Sequence, residues 1–352
     1  MRVTGHAVAF AFSLLLLRIN ARAVGLCARA NAAVRSLAYW WDAELEVIKN
    51  SRLRCLAHTR QKAIRAWGKS LKKNIINEYY KKYDINITTD EIIITYGASE
   101  ALMIILLSCL NPWDEVIVPE PFYANYSSFA GAADITVKPI SSSIDDNFAL
   151  PSIAEFEKLI GPRTKAILIC SPNNPTGYTY SREELDELRK ICVKYDLFLI
   201  SDEVYREFYY DGDYAPSVME LQGFEDKAIM LDSASKRYSM CGVRIGAIVS
   251  KNKEVIQTAL KFGQARLSPP RFGQVAVESA LKASDSYYAE VKEEYEKRKD
   301  VLIEELAKIP NVKYSHPYGA FYTVVKLPID DDEKFCSWML TDFEYEGETV
   351  MF

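Results

Sequence analysis

Short apolar runs and amphipathic stretches alternate along most of the chain. EIIIT (91–95) leads into EALMIILLSCL, EVIV (115–118) into NYSSFAGAA, and KAILIC (165–170) into SREELDELRKICVKYD. In the third pair Ser181 and Glu184 stand at capping-box spacing, which predicts a helix starting just after Ser181. LFLIS (197–201), AIMLD (228–232) and RIGAIVS (244–250) extend the series, the last leading into KEVIQTALKFGQAR. Near-continuous hydrophobic strands separated by amphipathic helices predict a mainly parallel sheet with both faces covered. The expected class is α/β, a three-layer α/β/α domain.

Past PPRFG (269–273) the pattern changes to long helices, QVAVESALKA and then SYYAEVKEEYEKRKDVLIEELAKI. YGAFYTVVKLP and EKFCSWMLTDF come next as strand and helix, which predicts a smaller α+β unit. ETVMF (348–352) reads as the opening of a further strand, so this unit is expected to be incomplete, and DDDE (330–333) as a solvated turn. The expected division is residues 1–60 as an atypical segment, 61–268 as the large domain and 269–352 as the small one.

Composition narrows the function classes. The net charge is −5 with both signs interspersed, and no basic stripe tracks a phosphate backbone, which argues against nucleic acid. Seven cysteines without CxxC pairs and three histidines predict neither a disulfide framework nor a metal site, and point to a reducing compartment. The first forty residues stand apart: from Met1 to Trp41 there are five arginines and ten alanines but no lysine, aspartate or glutamate. One reading is a secretory leader, Arg2 followed by AVAFAFSLLLL (7–17) and RINARA; that run is too short to span a bilayer. The reading favoured by the length of the compositional break is that the segment is foreign to the fold.

In doubly wound sheets ligands bind outside the carboxyl ends of the strands, so the residues just past each apolar run are the candidates for a site. After 91–95 come Gly97, Ala98 and Ser99, a close-approach glycine at a helix N-terminus and a natural anion cradle. After 115–118 comes Tyr123; after 165–170 comes SPNNPTG, whose Asn174 is carried on a proline turn. Asp202 and Tyr205 come after 197–201, and SASK delivers Ser233 and Lys236 after 228–232, with Arg244 eight residues on. Each has an ordinary structural explanation when taken singly. Together they offer an anion cradle, an aromatic face, an amide, a carboxylate with a phenol, and a lysine. Pyridoxal 5'-phosphate requires that mixture: its aldehyde an amine, its pyridinium nitrogen a carboxylate, its phosphate N–H groups and a cation. No GxGxxG stands after the first strand, which argues against a dinucleotide.

SPNNPTG, SDEVY and SASKRYSMCGVRIG also stand in a familiar order and spacing, and from about residue 60 to 352 the chain resembles the class I, aspartate aminotransferase-like enzymes of fold type I. The resemblance implies amino-group transfer between an L-amino acid and a 2-oxo acid through a Schiff base on Lys236. It implies that Asp202 keeps the ring nitrogen protonated, Tyr205 and Asn174 bond the ring's phenolic oxygen, and Tyr123 stacks on the ring. Gly97, Ala98, Ser99, Ser233 and Arg244 would hold the phosphate. An aspartate-like donor, a homodimer and a cytoplasmic setting come with it, with no metal and no membrane. Three departures stand out. No glycine-proline motif precedes residue 60, His58 stands where the family has a tyrosine that reaches the partner's phosphate, and the substrate-gripping arginine belongs beyond ETVMF. These keep two alternatives open, a truncated cofactor-binding homologue without catalysis and a pyridoxal phosphate-dependent lyase or decarboxylase.

Overall fold

The computed structural model describes residues 8–11, as backbone, and 69–349. His58, the rest of the 1–60 segment and the end of ETVMF lie outside the described residues.

Seven strands form the main sheet: β2 (Ile92–Thr95), β3 (Glu115–Glu120), β4 (Thr136–Ser141), β5 (Thr164–Cys170), β6 (Phe198–Asp202), β7 (Ala228–Ser233) and β8 (Gly246–Val249), in the order β2-β8-β7-β6-β5-β3-β4. The neighbours from β4 to β7 pair in parallel, while β8 runs antiparallel to both β7 and β2. That reversal matters for the site. Register places Cys170 opposite Asp202, Ser233 opposite Gly246 and Thr95 opposite Gly246. The start of β8 therefore lies on the same sheet edge as the ends of β2, β5, β6 and β7.

The side chains of the strands alternate between two cores, as a sheet covered on both faces requires. Ile167, Ile169, Leu199 and Met230 pack with Leu185 and Leu188 of helix Arg182–Tyr195 and with Tyr79 and Tyr80. Ala166, Leu168, Ile200 and Leu231 pack on the other side with Leu102 and Ile105 of helix Gly97–Cys109 and with Ile256 of helix Lys253–Arg266. Full burial of each such Leu or Ile contributes about 1.5–3 kcal/mol. The expected three-layer α/β/α architecture is what forms. Helix Arg182–Tyr195 starts where its capping box does: Ser181 Oγ accepts from Glu184 N–H, and Glu184 accepts from Ser181 N–H.

Three elements differ from the sequence reading. β4, TVKPIS, carries no continuous apolar run, because it is an edge strand with much of its length exposed and Pro139 within it. Within the segment expected to be foreign, Val8–Ala11, β1, pairs antiparallel with β10 (Tyr322–Lys326), which in turn pairs with β9 (Lys313–Tyr314). An apolar run of that length serves a strand as well as a leader. DDDE is more than a solvated turn. Asp331 caps helix Asp332–Thr341 by accepting from Lys334 N–H, and Asp332 and Glu333 occupy its first turn, where anions are favoured. Among the described residues no helix is long and apolar enough to cross a membrane, and no cluster of potential metal ligands occurs.

Candidate active site

A cavity of about 260 Å³ opens at the shared sheet edge, and nine of the ten expected site residues line it: Ala98, Ser99, Tyr123, Asn174, Asp202, Tyr205, Ser233, Lys236 and Arg244. The tenth, Gly97, lies beneath Arg244. It has φ +77°, and a Cβ there would stand 2.6 Å from Arg244 Nη2. The positive φ favours glycine, and any Cβ there would displace the guanidinium. The Arg244 guanidinium is held over this point by bonds to the Tyr96 carbonyl at 3.3 Å and the Cys241 carbonyl at 3.0 Å. The N-cap residue of helix Gly97–Cys109, Tyr96, makes no side-chain capping bond, so the first-turn N–H groups are left for another acceptor.

The turn after β5 is organised by Asn173, whose Oδ1 accepts from both the N–H and the hydroxyl of Thr176. That leaves the neighbouring Asn174 on the cavity wall. Gly177 has φ +71°, and a Cβ there would come within 2.7 Å of the Tyr322 carbonyl, so the turn packs directly on β10.

Asp202, at the end of β6, is 8 % exposed. Burial pushes its carboxyl up to about 6, although the Tyr126 hydroxyl and the Val204 N–H pull the other way. Tyr126 Oη donates to Oδ2 at 2.8 Å and Val204 N–H to Oδ1 at 3.4 Å. Lys236 is half-buried on the short helix Ala234–Arg237, its Nζ 5.8 Å from the Tyr205 ring centre and 5.7 Å from that of Phe321. Among the described residues no carboxylate lies within ion-pair distance of it. The next residue, Arg237, fixes this helix from behind: it bonds Glu207 at 2.7 Å and Asp232 at 2.5 Å, and stacks 3.5 Å from the Tyr79 ring centre.

Sequence reasoning did not single out Tyr126, Tyr322 or Arg237. Tyr126 lies in the stretch PEPFYANY, three residues beyond Tyr123 and in the first turn of helix Asn125–Ala132, and that nearness to Tyr123 was the available signal. Loss of its bond to Asp202 should move the carboxyl further up. We expect Tyr126→Phe to lower kcat/KM by roughly 10–100-fold, the loss of about 1.5–3 kcal/mol for a bond to a charged group. The acidic limb of the pH–rate profile should shift to higher pH, and a profile that stays in place would show that Tyr126 does not hold Asp202.

The donor set fits pyridoxal phosphate. First-turn N–H groups, Ser233 and Arg244 gather at one end of the cavity, and the buried carboxylate of Asp202 calls for a cationic partner. Lys236 carries the amine. This combination at a mainly parallel sheet edge defines a pyridoxal phosphate-dependent α/β enzyme. Residues 44–345 match the family described as aminotransferase class I and II. The chain is 35 % identical over 274 residues to the aspartate aminotransferase of Thermotoga maritima, covering 77 % of this chain and 70 % of that one. The crystal structure of a T. maritima aspartate aminotransferase superposes with a TM-score of 0.71 at 33 % identity, over 77 % of this chain and 71 % of the other. An arginine–pyruvate transaminase of Pseudomonas aeruginosa is 31 % identical over 74 % of this chain and 65 % of its own length. The chain belongs to the class I and II aminotransferases, and it is a pyridoxal phosphate-dependent transaminase of amino and 2-oxo acids.

Proposed function

We propose that the enzyme moves the amino group of aspartate or a closely similar acidic amino acid to a 2-oxo acid, as a cytoplasmic homodimer, with a distinct task for each cavity residue. Bound pyridoxal phosphate supplies the carbon that receives the amino group and a ring that takes up the electron pair released at the substrate's Cα. The N–H groups of Ala98 and Ser99, the Ser233 hydroxyl and Arg244 hold its phosphate, with Gly97 giving the guanidinium room. Asp202 holds a proton at the ring nitrogen. Tyr123 would cover the ring, and Tyr205 and Asn174 would bond its phenolic oxygen. Lys236 would supply the amine that holds the cofactor covalently, and its Nζ, when free, would move the proton at the substrate's Cα. Tyr123, Tyr205 and Tyr322 give the cavity aromatic walls that limit water.

The observation that carries this assignment of roles is the meeting of Lys236 and buried Asp202 in one cavity beside an uncapped helix start. Support for an acidic donor comes from the T. maritima relative, an aspartate aminotransferase. Support for pairing comes from Leu267 and Phe272, 51 % and 60 % exposed. They flank Ser268, whose carbonyl accepts from Tyr96 next to the helix start. The test is a donor panel with 2-oxoglutarate as acceptor. We expect aspartate to give the highest kcat/KM. Faster turnover of an aromatic or basic donor would overturn the specificity, release of ammonia or carbon dioxide would favour a lyase or decarboxylase, and cofactor absorbance without turnover a non-catalytic homologue.

A further inference from the structure

Tyr205 and Tyr322 come from distant parts of the chain, and their hydroxyl oxygens lie 2.8 Å apart on the cavity wall. Their rings meet edge to face at 5.5 Å. The pairing is held from both sides. Residues 208–210 and 318–320 are laced together by Ala320 N–H to the Phe208 carbonyl at 2.7 Å and Tyr210 N–H to the Tyr318 carbonyl at 2.8 Å. Phe321 packs edge-on against both Tyr205 and Phe208, each at 5.2 Å. Among the described residues each of the two phenols has the other as its hydrogen-bond partner.

A phenol has one hydrogen to give. If Tyr205 gives its hydrogen to the cofactor's phenolic oxygen, the role proposed above, then its own oxygen can only accept, and the hydrogen between the two tyrosines must belong to Tyr322. A donor feeding Tyr205 in this way polarises it and strengthens what it donates. We propose that Tyr322 is a positioning residue: through its bond to Tyr205 it commits the Tyr205 hydrogen to the cofactor and strengthens that contact. The inference rests on the cofactor assignment above. A stronger donor at the phenolic oxygen favours its anion, so it lowers the pH at which the lysine-bound cofactor gives up its proton.

The test is the pH midpoint of the bound cofactor's visible absorbance change, measured for the parent, Tyr205→Phe, Tyr322→Phe and the double variant. Tyr205→Phe should raise the midpoint by about one to two units, since it removes a bond to a charged oxygen. Tyr322→Phe keeps its ring contacts and should raise it by roughly 0.1 to 0.6 unit, the 10–30 % share expected of a cooperative neighbour. Because Tyr322 acts through Tyr205, the double variant should match Tyr205→Phe. No shift in Tyr322→Phe, or an equal further shift in the Tyr205→Phe background, overturns the proposal while the cofactor assignment stands. A parent chain that shows no pyridoxal phosphate absorbance overturns both.

Discussion

Lys236→Ala should reduce amino transfer by roughly 10⁴-fold or more, because one substitution removes both the amine that forms the covalent link and the group that moves the substrate's proton. General acid–base catalysis alone accounts for about 10²–10⁴-fold, and loss of a positioned reacting group adds to it. The fold should survive, since the side chain is half-buried and Arg237 anchors the short helix through Asp232 and Glu207 independently of it. Two measurements check the result. Steady-state transfer to 2-oxoglutarate should drop to near background. Borohydride reduction and then peptide mapping should place the cofactor's mass on Lys236 in the parent and nowhere in the variant. Turnover within tenfold of the parent, or a modified lysine elsewhere, would remove Lys236 from the role assigned to it.

The ends of the strands were easier to read than the walls between them. Lys236, Asp202 and Asn174 come directly after apolar runs, so finding the runs finds the residues, and the parallel register then brings them together. Tyr322 carries no comparable mark. It belongs to YGAFYTVVKLP, legible as a strand, but its approach to Tyr205 depends on how β10 packs against the turn at Gly177, a contact more than a hundred residues long in sequence. The buried pair of Arg237 with Asp232 was hidden for another reason. Arginine beside a lysine reads as a second surface cation, and only the arrival of Tyr79 and Tyr80, from far earlier in the chain, closes it off from water. The antiparallel turn of β8 was equally silent, because a fully buried strand shows the same apolar run in either direction.

Asp202→Asn tests the other end of the cofactor and should cost roughly 10²–10⁴-fold in kcat/KM, the equivalent of about 3–5 kcal/mol for breaking a buried charge pair. The amide keeps the carboxylate's shape but cannot hold a proton at the ring nitrogen. The carboxyl's own titration gives a second readout. Burial has raised it to about 6 from the usual carboxylate range, so it is mostly protonated below that pH and ionised above it. A cationic ring nitrogen favours the ionised form and pulls the value down on binding. Cofactor uptake must then release a proton at low pH. By linkage the apparent affinity of the parent should weaken as pH falls below about 6, approaching tenfold per unit. The amide of the Asp202→Asn variant has no such proton to lose. The titration of the cofactor-free variant with pyridoxal phosphate should therefore be weaker than the parent's at about pH 8 and lack this component below about pH 6. The difference between the two curves isolates Asp202 from the cofactor's own ionisations, which are common to both. If the curves stay parallel, Asp202 does not face the ring nitrogen, and the orientation assigned to the cofactor in this cavity falls with it.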